Sequence, residues 1–219
     1  MILPMTPTTG IIDDSTLSIS LYGLPKIGKT LWACDWPETL LLSWDGNFAH
    51  LKGVFAIDVR TWEEFGEALR LYQNSSYKWL VIDTSDLAWI ACQNYIRKRL
   101  HITHESDADW GKGFDLLKGE WLRTITGIRG MKRGVIWISH AIQQKTKEKG
   151  VFWTSTLSDS PRIKLHGSVD CIGFARMSEK GERIVSFRSS PQYEAGDYTG
   201  RLPDSLPLNR AAFHEVFKT

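Results

Sequence analysis

Residues 23–30 read G-L-P-K-I-G-K-T and satisfy the pattern G-x-x-x-x-G-K-[ST] at every fixed position. That pattern is a phosphate cradle, the P-loop. Its glycines let backbone N–H groups curl around the α- and β-phosphates, its lysine reaches the β/γ-phosphates, and its hydroxyl ligates Mg²⁺. Gly23, Pro25, Lys26, Ile27, Gly28, Lys29, Thr30 and Leu31 are therefore the candidate nucleotide-binding residues, with ATP and Mg²⁺ as the expected cofactors. A Gly-rich turn that binds nothing is the alternative, and the deciding context is a strand before the loop and a helix after it. Residues 17–22 alternate apolar with small polar side chains as a strand does, and 31–36 continue without Gly or Pro until Pro37 stops them. A helix starting at the loop also turns its positive dipole end toward the phosphates.

Three further positions can carry chemistry beside that cradle. Residues 78–83, K-W-L-V-I-D, form a short apolar strand ending in a carboxylate. Mg²⁺ prefers hard oxygen ligands and keeps much of its water, so Thr30 and Asp83 are the expected metal pair. An apolar strand followed by Asp is weak by itself, because Asp commonly starts a turn; downstream of a P-loop it has the form of a Walker B strand. Asp86 fits either a water-polarising carboxylate or the N-cap of a helix over 87–100, with the cap the simpler reading. The run 39–44 reads as a central strand bounded by D-G-N, leaving Asp45 at the carboxyl edge where α/β sheets bind ligands. Residues 134–140, G-V-I-W-I-S-H, bring Ser139 and His140 to the same edge. An imidazole there can sense a γ-phosphate and pass its movement to the next loop; a histidine bonded to the backbone is an equal reading.

The elements that must position these residues follow from pattern. A strand is expected near 54–59, a helix over 62–72 capped by Thr61 with Glu64, and a polar loop over 101–113 leading into a helix that ends near Arg129. His101 and His104 have one-face spacing but no third ligand, which favours two surface histidines over a metal site. The stretch 141–161 reads as a long polar loop, and loops beyond about 12 to 15 residues are usually functional or disordered. In it Lys145, Lys147 and Lys149 lie near Phe152 and Trp153, the pairing of cations with aromatic faces that binds single-stranded nucleic acid. Alternation equally allows K-T-K-E-K and V-F-W-T to be the arms of a solvated hairpin turning at Gly150. Strands are expected over 168–177 and 183–188, and a short helix over 210–218.

Composition bounds the class. The 219 residues, 42% hydrophobic and 24% charged, suffice for one domain with a sizeable core. With 27 basic against 25 acidic residues, a net charge of +2 leaves room only for a local nucleic-acid contact. Three scattered cysteines form no C-x-x-C pair, and no apolar run approaches the roughly 20 residues of a membrane helix. No membrane partner and a cytoplasmic location are expected. The ten tryptophans follow no period and read as core. The expected layout is an extended arm over 1–16, an ATP-binding domain over 17–205 and a tail over 206–219.

The motifs G-L-P-K-I-G-K-T, K-W-L-V-I-D, I-S-H and the later T-G-R-L-P, in this order over roughly residues 17 to 205, resemble the RecA-like ATPase core. More narrowly, the chain resembles small phage-encoded nucleotide-binding proteins of that group, some of which act in single-strand annealing or recombination. The resemblance implies an α/β fold with a mostly parallel central sheet flanked by helices, and ATP hydrolysis with Asp45 orienting water; Lys29 of the P-loop and His140 at its strand end complete the expected catalytic set. It implies that 101–112, with Lys112, and 141–161 face single-stranded DNA. It implies too a homo-oligomeric ring or filament, in which the arm Ile2, Leu3, Pro4 and Met5 either docks on a neighbour or is a frayed terminus; a single-strand binding protein is a further expected partner. The basic run that family members carry near the end is replaced by Ala195, Gly196, Asp197 and Tyr198, with Arg201 the nearest substitute. A small-molecule or nucleoside kinase with an arginine lid drawn from 123–133, and a nucleotide-gated assembly protein with negligible turnover, are the competing expectations.

Overall fold

The computed structural model describes Met5, residues 12–146 and residues 150–218. Strand β1 (Ser18–Gly23) leads into helix α1 (Lys29–Cys34), followed by β2 (Thr39–Ser43), β3 (Phe55–Asp58) and α2 (Trp62–Gln73). Then come β4 (Trp79–Asp83), α3 (Ser85–Leu100), α4 (Lys112–Gly130), β5 (Gly134–Thr146), β6 (Gly150–Ser155) and α5 (Asp159–His166). The chain closes with β7 (Cys171–Met177), β8 (Arg183–Ser186), β9 (Gly196–Asp197), β10 (Ser205–Pro207) and α6 (Arg210–Glu215).

The main sheet runs β10-β8-β7-β1-β5-β4-β2-β3. The six strands from β7 to β3 are mutually parallel, and β8, β9 and β10 add antiparallel pairs beside them. Strands β1, β2 and β4 are buried along their whole length, polar positions included, because the sheet is covered on both faces. On one face Leu40, Leu42, Leu80, Ile82, Val135 and Trp137 meet Trp62, Phe65, Trp89 and Trp121 from α2, α3 and α4. On the other, Ile19, Leu21, Leu41, Val81, Ile136 and Ile138 meet Trp32 and Trp36 at α1 and Phe213 of α6. Seven tryptophans are buried, as the sequence suggested; Trp110 is the contrary case, fully exposed.

One expectation needs correction. The stretch 141–161 is not one long loop: β5 continues past the sheet edge and pairs antiparallel with β6, from Ala141↔Ser155 to Thr146↔Gly150. A hairpin forms, as the alternative reading allowed, but with arms 141–146 and 150–155, whose cross-strand bonds satisfy the backbone groups of both; Gly150, at φ 66°, provides the left-handed residue at the turn. Lys147 and Lys149 lie outside the described residues, as do Ile2, Leu3 and Pro4. The rest of that stretch opens α5, whose Pro161 sits in the first turn, where the missing N–H had no helical partner to lose.

The C-terminal segment is part of the core. β10 pairs with β8, and the Phe213 ring lies 5.7 Å from Trp32, 5.6 Å from Trp36 and 5.6 Å from Phe187. Phe213 is 0% exposed, so Phe213→Ala is expected to cost about 3 to 5 kcal/mol, read as a lower midpoint in urea unfolding.

Candidate nucleotide-binding site

Register places the chemistry at one edge. β5 lies between β1 and β4, with Gly23 opposite His140, Ile138 opposite Asp83, and Asp83 opposite Ser43. The P-loop, the end of β4 and His140 are thus side by side at the carboxyl ends of parallel strands. Two glycines allow the loop its path. A Cβ on Gly23 would come within 2.4 Å of the Ala175 carbonyl oxygen on β7, and Gly28, at φ 107°, turns the chain into α1.

Lys29 is 4% exposed. Its Nζ donates to the carbonyl oxygens of Gly23 at 2.9 Å and Leu24 at 3.0 Å, and lies 3.5 Å from His140 Nδ1. Burial lowers its pKa to about 8, against the opposing pull of the Asp83 and Asp86 carboxylates. The Thr30 hydroxyl donates to Asp83 Oδ2 at 2.6 Å. Burial pushes the Asp83 carboxyl above its ordinary range, helped by Asp45 and opposed by the Thr30 bond, Lys29 and His140. Thr30 and Asp83 fit a Mg²⁺ ion: a hydroxyl and a carboxylate adjacent, both hard oxygen donors, on a buried and poorly solvated base.

Asp45 stands past the end of β2, exposed. Its Oδ1 accepts from Ser43 Oγ at 2.9 Å and from the Asn47 N–H at 3.0 Å, an Asx-type turn, while the Trp44 N–H bonds the Asp83 carbonyl oxygen at 2.7 Å. Asp86 is not the N-cap of α3. That position belongs to Thr84, which makes no side-chain cap bond. Asp86 instead accepts from Thr156 Oγ1 at 3.0 Å, and its Oδ1 is buried with no hydrogen-bond partner. Thr156 also donates its N–H to the His140 carbonyl oxygen at 2.9 Å. No local pattern marks Thr156: it reaches Asp86 only because β5 and β6 fold back as a hairpin.

The residues expected to face DNA divide. Lys145 is exposed on the hairpin, whereas Phe152 and Trp153 are half-buried. Lys112 is exposed as the first residue of α4, two positions after Trp110. The loop before it holds two short 3₁₀ turns, where His104 caps one through the Ser106 N–H and Arg97 pairs with buried Glu105 at 2.9 Å. The arginines of 123–133, which a kinase would use as a lid and a solvated helix face explains more simply, have structural partners: Arg123 pairs with Glu120, Arg129 with Asp170, and Arg133 donates to the Tyr72 and Tyr77 carbonyl oxygens.

A P-loop at the end of a parallel strand, one strand removed from a buried acidic strand end, is the observation that the sequence comparison then completes. The pattern of the AAA domain family AAA_24 matches residues 15–199. The chain belongs to that family. It is a P-loop nucleotide-binding AAA domain with a RecA-like α/β fold, and the family implies nucleotide binding. A KaiC-like protein from the hyperthermophilic archaeon Pyrococcus horikoshii OT3 is similar in structure at a TM-score of 0.50 and 13% identity, covering 88% of this chain and 85% of its own. A comparison with curated proteins gave no match. No helix among the described residues is long and apolar enough to cross a membrane.

The buried lysine gives this AAA-family site a pH signature. A lysine held at about 8, below its ordinary 10.5, loses its proton above that pH in the free protein, and a bound triphosphate draws the proton back. ATP binding is therefore expected to take up a proton above pH 8 and to weaken as pH rises toward 10.5. Isothermal titration in buffers of different ionisation enthalpy measures that uptake.

Proposed function

We propose that this chain is a Mg²⁺-dependent ATPase that acts on single-stranded DNA in recombination, annealing or repair of the phage type, as a homo-oligomer with nucleotide at its subunit contacts. The observation that carries the reading is that the strand sensing the P-loop, β5, runs without interruption into the exposed hairpin that bears Lys145. Lys29 neutralises the γ-phosphate, Thr30 and Asp83 hold Mg²⁺, and Asp45 orients the attacking water once released from its turn with Ser43 and Asn47. Held by these residues, Mg²⁺ would supply charge neutralisation to the phosphates. His140 joins Lys29 to the base of the hairpin, so occupancy of the site changes the hairpin's affinity for DNA.

A second reading, nucleotide-gated assembly with negligible turnover, is favoured by Asp45 being engaged in its own turn and by Asp197 standing where a basic run is expected. Asp197 there accepts from the Thr199 and Leu202 N–H groups, both at 2.8 Å.

ATP hydrolysis by wild type and Lys29→Ala, with and without a single-stranded oligonucleotide at low salt, tests the proposal. The expected result is DNA-stimulated turnover that vanishes in the variant. Turnover indifferent to DNA overturns the single-strand role. Absent turnover, with ATP-dependent light scattering, selects the assembly reading.

A further inference from the structure

On the face of the sheet away from α1, a cavity of about 570 Å³ opens beside the P-loop residue Leu24. Side chains alternate along β1, so Leu21 packs on the α1 side while Tyr22 points the other way and stacks on Phe174 at 4.9 Å. Phe174, 4% exposed, forms the floor. The Trp153 and Tyr193 rings stand 6.1 Å and 5.2 Å from it. Arg176 lies 5.4 Å from the centre of the Tyr193 ring and is steadied by its Nε–H bond to Ser186 Oγ at 3.1 Å. The Gln192 amide completes the wall.

These walls are fixed from behind. The Trp153 N–H donates to the Gln192 carbonyl oxygen at 2.7 Å. The Tyr22 hydroxyl, one residue before the P-loop, donates to the Glu194 carbonyl oxygen at 2.5 Å and lies 3.3 Å from that of Trp153. Glu194 is held in turn by Thr154 at 3.0 Å and His166 at 2.8 Å. Burial pushes the Glu194 carboxyl up, but the bonds and charges of His166, Thr154 and Arg162 outweigh it and hold it below its ordinary value. The Trp153 and Tyr193 rings pack on Phe174 and are only half-buried, so a planar guest meets surfaces already placed.

We infer that this cavity is a subsite for one unstacked base of a single-stranded nucleic acid, an inference that rests on the single-strand reading above. Aromatic faces, a guanidinium and a carboxamide are the groups that grip a splayed base by stacking and by its polar edge, and the volume suits a base with its sugar. Antiparallel pairing sets Gln143 opposite Trp153 and Lys145 opposite Val151. Lys145 therefore shares the hairpin face of Trp153, two residues farther out, where the strand's next phosphates pass. The cradle for the triphosphate turns into α1 on the other face, so the two ligands do not compete.

Fluorescence anisotropy with labelled oligothymidylate, and with an abasic strand of equal length, tests the subsite. Wild type is expected to prefer the strand with bases. Tyr193→Ala should weaken that strand about tenfold and erase the preference, Tyr193→Phe should retain both, and Arg176→Gln should weaken it severalfold. Photocrosslinking of an iodouracil strand to wild-type protein, which needs no variant to fold, should map to Trp153 or Tyr193. If wild type binds the strand but crosslinks elsewhere and Tyr193→Ala keeps its preference, the subsite is overturned while the single-strand reading stands. If wild type binds no strand at low salt, both fall.

Discussion

The parallel register of four strands is the constraint on which the site depends. β5 inserts between β1 and β4, and β4 pairs with β2, so Gly23, His140, Asp83 and Ser43 arrive at one edge. The strand period of two makes this register unforgiving: a one-residue slip would turn each strand's buried side chains to the opposite face. Both faces are packed by large rings. Trp121, for example, lies 5.4 Å from Trp89 and 5.8 Å from Trp137, and no slip can accommodate such shapes.

Within that frame the site stores charge in a place that disfavours it. Lys29 and Asp83 are both nearly buried, and burial pushes each toward its neutral form. Bonds from Lys29 to two loop carbonyls and from Thr30 to Asp83 compensate in part. An arrangement in which polar groups are fixed and incompletely solvated is suited to a charged ligand, because binding requires little reorganisation.

The same strands carry the site outward. β5 passes from the sheet into the hairpin, and its junction is tied to α3 through Thr156 and Asp86 and to β1 through Tyr22. A shift of His140 or of the P-loop strand thus meets a bonded element rather than a loose loop, which is what transmission between two sites requires.

The sequence by itself determined the local features. The octapeptide 23–30 named the phosphate loop, the apolar run before Asp83 named the acidic strand, and periodicity located α2, α3 and α4, because these signals depend on neighbours within a few residues. Tertiary structure alone decided the rest. It chose between loop and hairpin for 141–146 and 150–155, a choice that the alternation around Gly150 had left open. It drew Asp86 from its expected cap to Thr156, 70 positions away, and buried Phe213 in a core begun by Trp32. It brought Trp153, Phe174 and Tyr193 around one cavity. Contacts between residues far apart in the chain depend on sheet order, and sheet order is chosen by the packing of the whole core rather than by any segment of it.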